Sequence, residues 1–115
     1  AEATLAPQLK KEDGRIDWNW PARQIDCRIR GFQPWPGGYT TFRGQTLEIH
    51  RARPVDEPAE GPPGALSPDR RRLFAACGEG TVLELLEVQP AGRKQMTVEA
   101  FLNGYRPVKG ERLGD

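Results

Sequence analysis

The stretch Ile29–Phe42, IRGFQPWPGGYTTF, decides how the rest of this chain is read. It joins the end of a helical pattern to a run of strand formers through a stiff corner. Pro34 and Pro36 hold φ near about −65° and press Gln33 and Trp35 toward extended geometry. Gly37 and Gly38 then permit a turn through positive φ. Phe32 and Trp35 carry large apolar area in a segment with little freedom, which predicts that they are pinned against a core.

Toward the amino end, Ala22, Ile25, Ile29 and Phe32 recur at helical spacing, with Arg23, Arg28 and Arg30 off that stripe. Pro21 suits the first helical position and Gly31 a left-handed stop, so a helix is predicted from Pro21 to Arg30. Ile16, Trp18 and Trp20 alternate as an extended segment does. Residues 1–15 show no period and mix Pro7, Lys10, Lys11, Glu12, Asp13 and Gly14. They read as a linker ahead of a domain over 16–115. The chain starts on Ala1, which suggests a piece excised from a longer protein.

Toward the carboxyl end, Tyr39–Phe42 and Thr46–Arg53 read as strands. Leu47, Ile49 and Arg51 fall on one side, Glu48, His50 and Ala52 on the other. Arg43-Gly44 makes the turn between them. Arg43 in the left-handed region costs about 1 kcal/mol, so a longer turn or another type is an alternative. Residues 53–68 form a proline-rich acidic loop in which PPGAL leads to a short third strand. Arg70, Arg71 and Arg72 bunch at a turn before a strand over Leu73–Cys77. Gly78-Glu79-Gly80 turns the chain into Thr81–Gln89, apolar enough for a central strand covered on both faces. After a turn at 90–94, Thr97 caps a helix seated by Phe101 and Leu102. That helix is predicted to run to about Asn103 and stop at Gly104. Residues 107–115 form a glycine-punctuated tail that carries Lys109 and Arg112. About five short strands and two helices describe a small β-barrel or an α+β domain.

The 115 residues suit one domain with a modest core. The net charge of +1 excludes a polycation, so any binding of nucleic acid needs charge segregated on one face. Most of the positive residues are arginines, which favour planar, bidentate partners such as phosphate. Cys27 and Cys77 lack metal or disulfide spacing and read as reduced, buried thiols. No apolar run reaches membrane-spanning length, and no signal peptide is visible.

Catalytic constellations are missing. The single His, His50, falls mid-strand, and the single Ser, Ser67, lies in no nucleophile elbow. Asp56/Glu57 and Glu84/Glu87 make poor acid–base pairs, and no glycine-rich nucleotide loop occurs. A hydrolase built on Cys77 and His50 is the remote alternative. What remains is recognition. Arg70, Arg71, Arg72, Arg93, Lys94, Arg106 and Lys109 fall in predicted loops, with Lys10 and Lys11 in the linker. Clustered loops can converge on a phosphate backbone, or the same residues can form a solvated mixed-charge surface. Trp35, Tyr39 and Phe42 are either core residues or stacking platforms for bases.

Two segments resemble a known family. IDWNWPARQIDCRIRGFQPWPGGYTTFRGQTLEI (16–49) is similar to the start of the C-terminal domain of methionyl-tRNA formyltransferases. ELLEVQPAGRKQMTVEAFLNGYRPVKGERLG (84–114) is similar to its end. The resemblance implies a mainly β domain with two short helices, a barrel like an oligonucleotide-binding fold. It implies a non-catalytic, tRNA-binding module, monomeric and cytoplasmic, tethered to an amino-terminal catalytic domain. The whole enzyme would pass a formyl group from 10-formyltetrahydrofolate to methionyl initiator tRNA, with no cofactor in this part. The tether of such enzymes lies along the tRNA, which favours Lys10 and Lys11 as contacts, and GRKQM favours Arg93 and Lys94. The alternative within the family is a structural module of a sugar-nucleotide formyltransferase or of a formyltetrahydrofolate hydrolase or dehydrogenase.

Overall fold

A computed structural model describes residues 14–31 and 37–114. The linker residues Lys10 and Lys11 and the corner residues Phe32 and Trp35 lie outside those described. Helix α1 (Ala22–Gly31) forms where the apolar spacing predicts it, and Ala22, Ile25 and Ile29 are buried. Its first amide is capped from a distance, by the Thr81 hydroxyl at 2.8 Å. The lead-in segment is tied to the sheet: the Ile16 amide donates to the Tyr39 carbonyl, and the buried Trp18 indole donates to the Thr40 hydroxyl.

The strands are β1 (Gly38–Phe42), β2 (Gln45–Val55), β3 (Leu66–Asp69), β4 (Arg72–Ala76), β5 (Val82–Pro90) and β6 (Met96–Thr97). All pairings between them are antiparallel, in the order β1-β2-β5-β4-β3. Strand β6 continues the line of β4 along β5. The apolar run of β5 therefore has neighbours on both sides along its length, as its composition predicts. Helix α2 (Val98–Tyr105) follows and seats Phe101, fully buried, against Phe42 and Tyr105.

Two edges of this sheet face a gap that strand pairing does not close. The tail spans it. Leu113 bridges Phe42 at the end of β1, and Arg112 bridges Ala65 just ahead of β3. Four main-chain hydrogen bonds support these bridges: Leu66 to Glu111, Gly110 to Leu66, Leu113 to Gly64 and Gly114 to Thr41. The tail thus links the end of β1 to the entry of β3 by single bridges, and no ladder closes the sheet into a barrel. The tail is structural at Leu113, which joins the core.

Several local expectations are corrected. Arg51 does not share a side with Leu47 and Ile49. The pairing slips between Ile49 and Ala52, so Ala52 turns toward the core while Arg51 points out to Glu87 at 3.4 Å. Strand β5 shifts phase over the same span, from Leu85 to Val88, so both strands bend together. Gly104 does not stop α2; the helix continues to Tyr105, and Arg106 at φ 49 is its left-handed cap. Cys27 is exposed and only Cys77 is buried; both thiols are free.

Candidate nucleic-acid interface

The register determines where the basic turns go. Strands β2, β4 and β6 run one way, and β1, β3 and β5 run the other. The turns 43–44, 70–71 and 91–95 consequently project from the same end of the sheet. They contain Arg43, Arg70, Arg71, Arg93 and Lys94 and no acidic residue. The connections leaving the other end, 56–65 and 77–81, contain Asp56, Glu57, Glu60 and Glu79 and no Lys or Arg. A net charge of +1 thus conceals a division between two ends of the sheet.

The turn at 91–95 is held from below. Its Ala91 amide donates to the Thr46 carbonyl, and Arg93 donates its own amide to Pro90. The Gln89 side-chain amide donates to the Arg93 carbonyl at 2.9 Å, while its oxygen meets His50 Nε2 at 2.9 Å. The Arg93 and Lys94 side chains project outward, and neither pairs with a described carboxylate. His50 therefore supports a turn; sequence reading missed this role, since the link to Gln89 exists only through strand pairing.

The remaining predicted cations divide sharply. Arg70 lies exposed in the turn at φ 58, and Arg71 reaches Glu99 at 3.7 Å. Arg72 does not join them. Its guanidinium grips the buried Glu84 carboxylate through two hydrogen bonds of 3.0 Å and lies over the Phe74 ring. Arg53 grips the same carboxylate at 2.8 Å. The Arg72 hydrogen bonds, followed by those of Arg53, hold Glu84 below its ordinary range against the cost of burial. Lys109 lies in the tail and pairs with Glu60, away from the turns. Arg106 caps α2, and its carbonyl accepts from Arg43 Nη2 at 3.5 Å.

Arg43-Gly44 forms the two-residue turn that the sequence predicts, rather than the longer alternative. Arg43 and Gly44 both take positive φ, 53 and 79, in the primed geometry that suits a hairpin. Tertiary contacts hold the arginine there. It chelates Glu111 of the tail and lies 4.6 Å over the Phe42 ring. The paired guanidinium in turn lowers the Glu111 pKa.

Neither thiol nor imidazole is set for chemistry. Burial pushes the Cys77 thiol up to about 12, so it stays protonated at neutral pH. The described partners of His50 are Gln89 and Glu48, not a nucleophile. Phe42 is core; Tyr39 is half-buried.

With that arrangement in view, comparison with known proteins is informative. Residues 8–106 match the model of the formyl transferase, C-terminal domain family. The chain belongs to that family. It is 55% identical to the methionyl-tRNA formyltransferase of Solibacter usitatus over its whole length, covering 36% of that protein. It is 50% identical to that of Koribacter versatilis over 99% of the chain, again covering 36%. The chain therefore spans about a third of the length of the curated relatives it matches. Among solved structures, HypX from Aquifex aeolicus in complex with tetrahydrofolic acid superposes with a TM-score of 0.69 at 16% identity, covering 92% of this chain and 19% of that one. At that identity the likeness speaks for the fold alone. In this chain the formyl transferase C-terminal domain is a sheet-based module with two short helices.

Proposed function

We propose that this chain is the tRNA-docking part of a methionyl-tRNA formyltransferase. In this reading a catalytic domain outside these residues moves the formyl group from 10-formyltetrahydrofolate to methionyl initiator tRNA in the cytoplasm. The present domain acts as a monomer, binds no cofactor and holds the tRNA for that domain. The observation that carries the reading is the division of charge between the two ends of the sheet. A-form RNA hides its base edges in a deep groove, so a protein grips it by phosphates and shape. Turns bearing exposed Arg70, Arg93 and Lys94, flanked by Arg71 and Arg106, suit such a grip. Lys10 and Lys11 extend it in the linker. Arg72 and Lys109 have carboxylate partners and contribute through the summed field. Holding the aminoacyl end in place converts an encounter into an oriented reaction.

Titration of labelled tRNA at two salt concentrations tests this. Docking gives weak binding that falls steeply with salt. Arg93→Glu with Lys94→Glu lowers the affinity and flattens the salt slope without unfolding the chain. Equal, salt-insensitive signals for tRNA and an uncharged control would remove the proposal.

A further inference from the structure

The basic end of the sheet also holds an open pocket of about 290 Å3, lined by Phe42, Arg43, Gln45, Thr46, Leu47 and Tyr105. Phe42, Gln45 and Leu47 share one face of the β1–β2 hairpin, and Tyr105 comes from the last turn of α2. Phe42 and Leu47, both buried, form an apolar floor. Tyr105 is half-buried, and one face of its ring stacks on Phe101 with centroids 4.9 Å apart, which fixes the ring. The walls are tied together. Arg43 Nη2 donates to the Arg106 carbonyl and so joins the hairpin turn to the cap of α2. The Thr46 carbonyl accepts from the Ala91 amide and so joins the rim to the turn that carries Arg93 and Lys94.

The lining combines a flat apolar surface with a polar rim. The Gln45 amide and the Thr46 and Tyr105 hydroxyls make no hydrogen bond among the described residues. Such a set receives a planar group that has an apolar face and a polar edge. The volume lies just below the roughly 300 Å3 at which pockets for drug-sized ligands begin. It therefore suits one ring system rather than a whole cofactor. The surrounding charge selects among planar groups. No described acidic residue lines the pocket, and Arg43, whose partner is Glu111, and the exposed Arg106 stand at its margin. A base within an RNA chain carries a phosphate on either side, and cations at the margin meet those phosphates. An apolar protein side chain would leave the amide and hydroxyls of the rim unused.

We infer that this pocket takes a single unstacked base of an RNA chain, laid against the free surface of Tyr105 and edged by Gln45 and Thr46. The inference deepens the docking role of the turns and rests on it: the turns hold phosphates, and the pocket captures one base that has left its helix. Paired RNA keeps the faces of its bases covered by their neighbours, so base capture separates loops and ends from a continuous helix.

Titrating the 115-residue chain with a short single-stranded oligoadenylate, followed by amide and tyrosine-ring resonances, provides the test. The oligoadenylate shifts the signals of Gln45, Thr46 and the Tyr105 ring saturably. An abasic strand of the same length and a fully paired RNA duplex leave the Tyr105 ring unmoved. Tyr105→Leu weakens oligoadenylate binding about tenfold, as expected for a lost stacking platform. Gln45→Ala, at an exposed position, weakens it several-fold with an unchanged melting curve. Should Tyr105→Leu loosen α2, the Gln45→Ala result decides alone. Both variants keep the salt dependence of tRNA binding, which the turn cations set, so the two readings fail separately. The pocket proposal is overturned if the oligoadenylate leaves these signals unmoved while tRNA still binds in a salt-dependent way. It also fails if the abasic strand moves them equally, or if both variants bind the oligoadenylate normally. A phenylalanine-bearing peptide that moves them at lower concentration than the RNA overturns it too and assigns the pocket to a protein side chain. If tRNA itself fails to bind, both readings fall.

Discussion

Arg70 and Arg72 are two residues apart in one basic triplet, and the fold uses them in opposite ways. Arg72 begins β4, and its side chain joins Arg53 in closing over the buried Glu84 of β5. Arg70 sits in the turn before it and meets solvent. The same contrast recurs between Arg43, bound to Glu111, and Arg93, which has no such partner among the described residues. An arginine beside a carboxylate braces the wall of the sheet, whereas an exposed turn arginine keeps its charge available to a ligand. Counting basic residues in predicted loops mixes the two kinds.

The contrast breaks most readily at Glu84. Arg53→Ala combined with Arg72→Ala leaves this carboxylate, only 5% exposed, without a partner. Orphaning a buried charge of this kind costs about 3 kcal/mol, visible as a large drop in the urea midpoint. Loss of either arginine alone should cost less, because the other still reaches Oε1. A double variant as stable as the parent would show that the clamp does not brace the wall.

Acid sharpens the comparison. Glu84 and Glu111 both have folded pKa values below the ordinary 4.5, chiefly through hydrogen bonds from Arg72 and Arg43 respectively. A depressed carboxylate pKa contributes stability that is present above the unfolded value and is lost as pH falls through the folded one. The melting temperature should therefore be steady above about pH 5 and fall increasingly below about pH 4.5. Glu84→Gln with Glu111→Gln should flatten that fall, at the cost of a lower plateau. An unaltered pH profile in this variant would show that other carboxylates govern acid unfolding.

A smaller effect is expected at the tail. Glu111→Gln removes the charge that holds Arg43 in its left-handed turn and the tail across the gap. The loss should be on the order of 1 kcal/mol, with faster hydrogen exchange at Leu113, whose amide donates to Gly64. Unchanged exchange at Leu113 would show that the main-chain bridges hold the tail unaided. The smallest effect on stability belongs to the turn reversal, Arg93→Glu with Lys94→Glu, which should stay within about 0.5 kcal/mol in the same urea titration. The clamped arginines would then matter for folding and the turn pair for binding.

The order of elements was readable because it depends on local pattern. Ile25 and Ile29 marked the buried face of α1, Thr97 marked the start of α2, and the apolar run from Val82 marked the central strand. The errors came where a distant partner overrode a local preference. Gly104 is a helix breaker by propensity, but Phe101 and Tyr105 pack on Phe42 and carry α2 past it. The Arg43-Gly44 turn was read correctly, but its strain left the type open, because Glu111 and Phe42, which hold Arg43 there, are distant in sequence or act only through the folded hairpin. The candidate interface was legible in part: Arg93 and Lys94 stood out in their motif, while the support from His50 and Gln89 was invisible.

Taken alone, the order of residues determined which segments are helical, which are extended, and which side chains can enter a core. These follow from periods of two and of about 3.6 residues, and each is set within a few neighbouring positions. Only the tertiary structure decided which arginines are spent on carboxylates, which turns share an end of the sheet, and how the tail bridges β1 and the entry of β3. Those outcomes depend on pairs as far apart as Arg43 and Glu111, 68 positions from one another. A charge has no local period to announce its partner; the backbone has to bring the two together first.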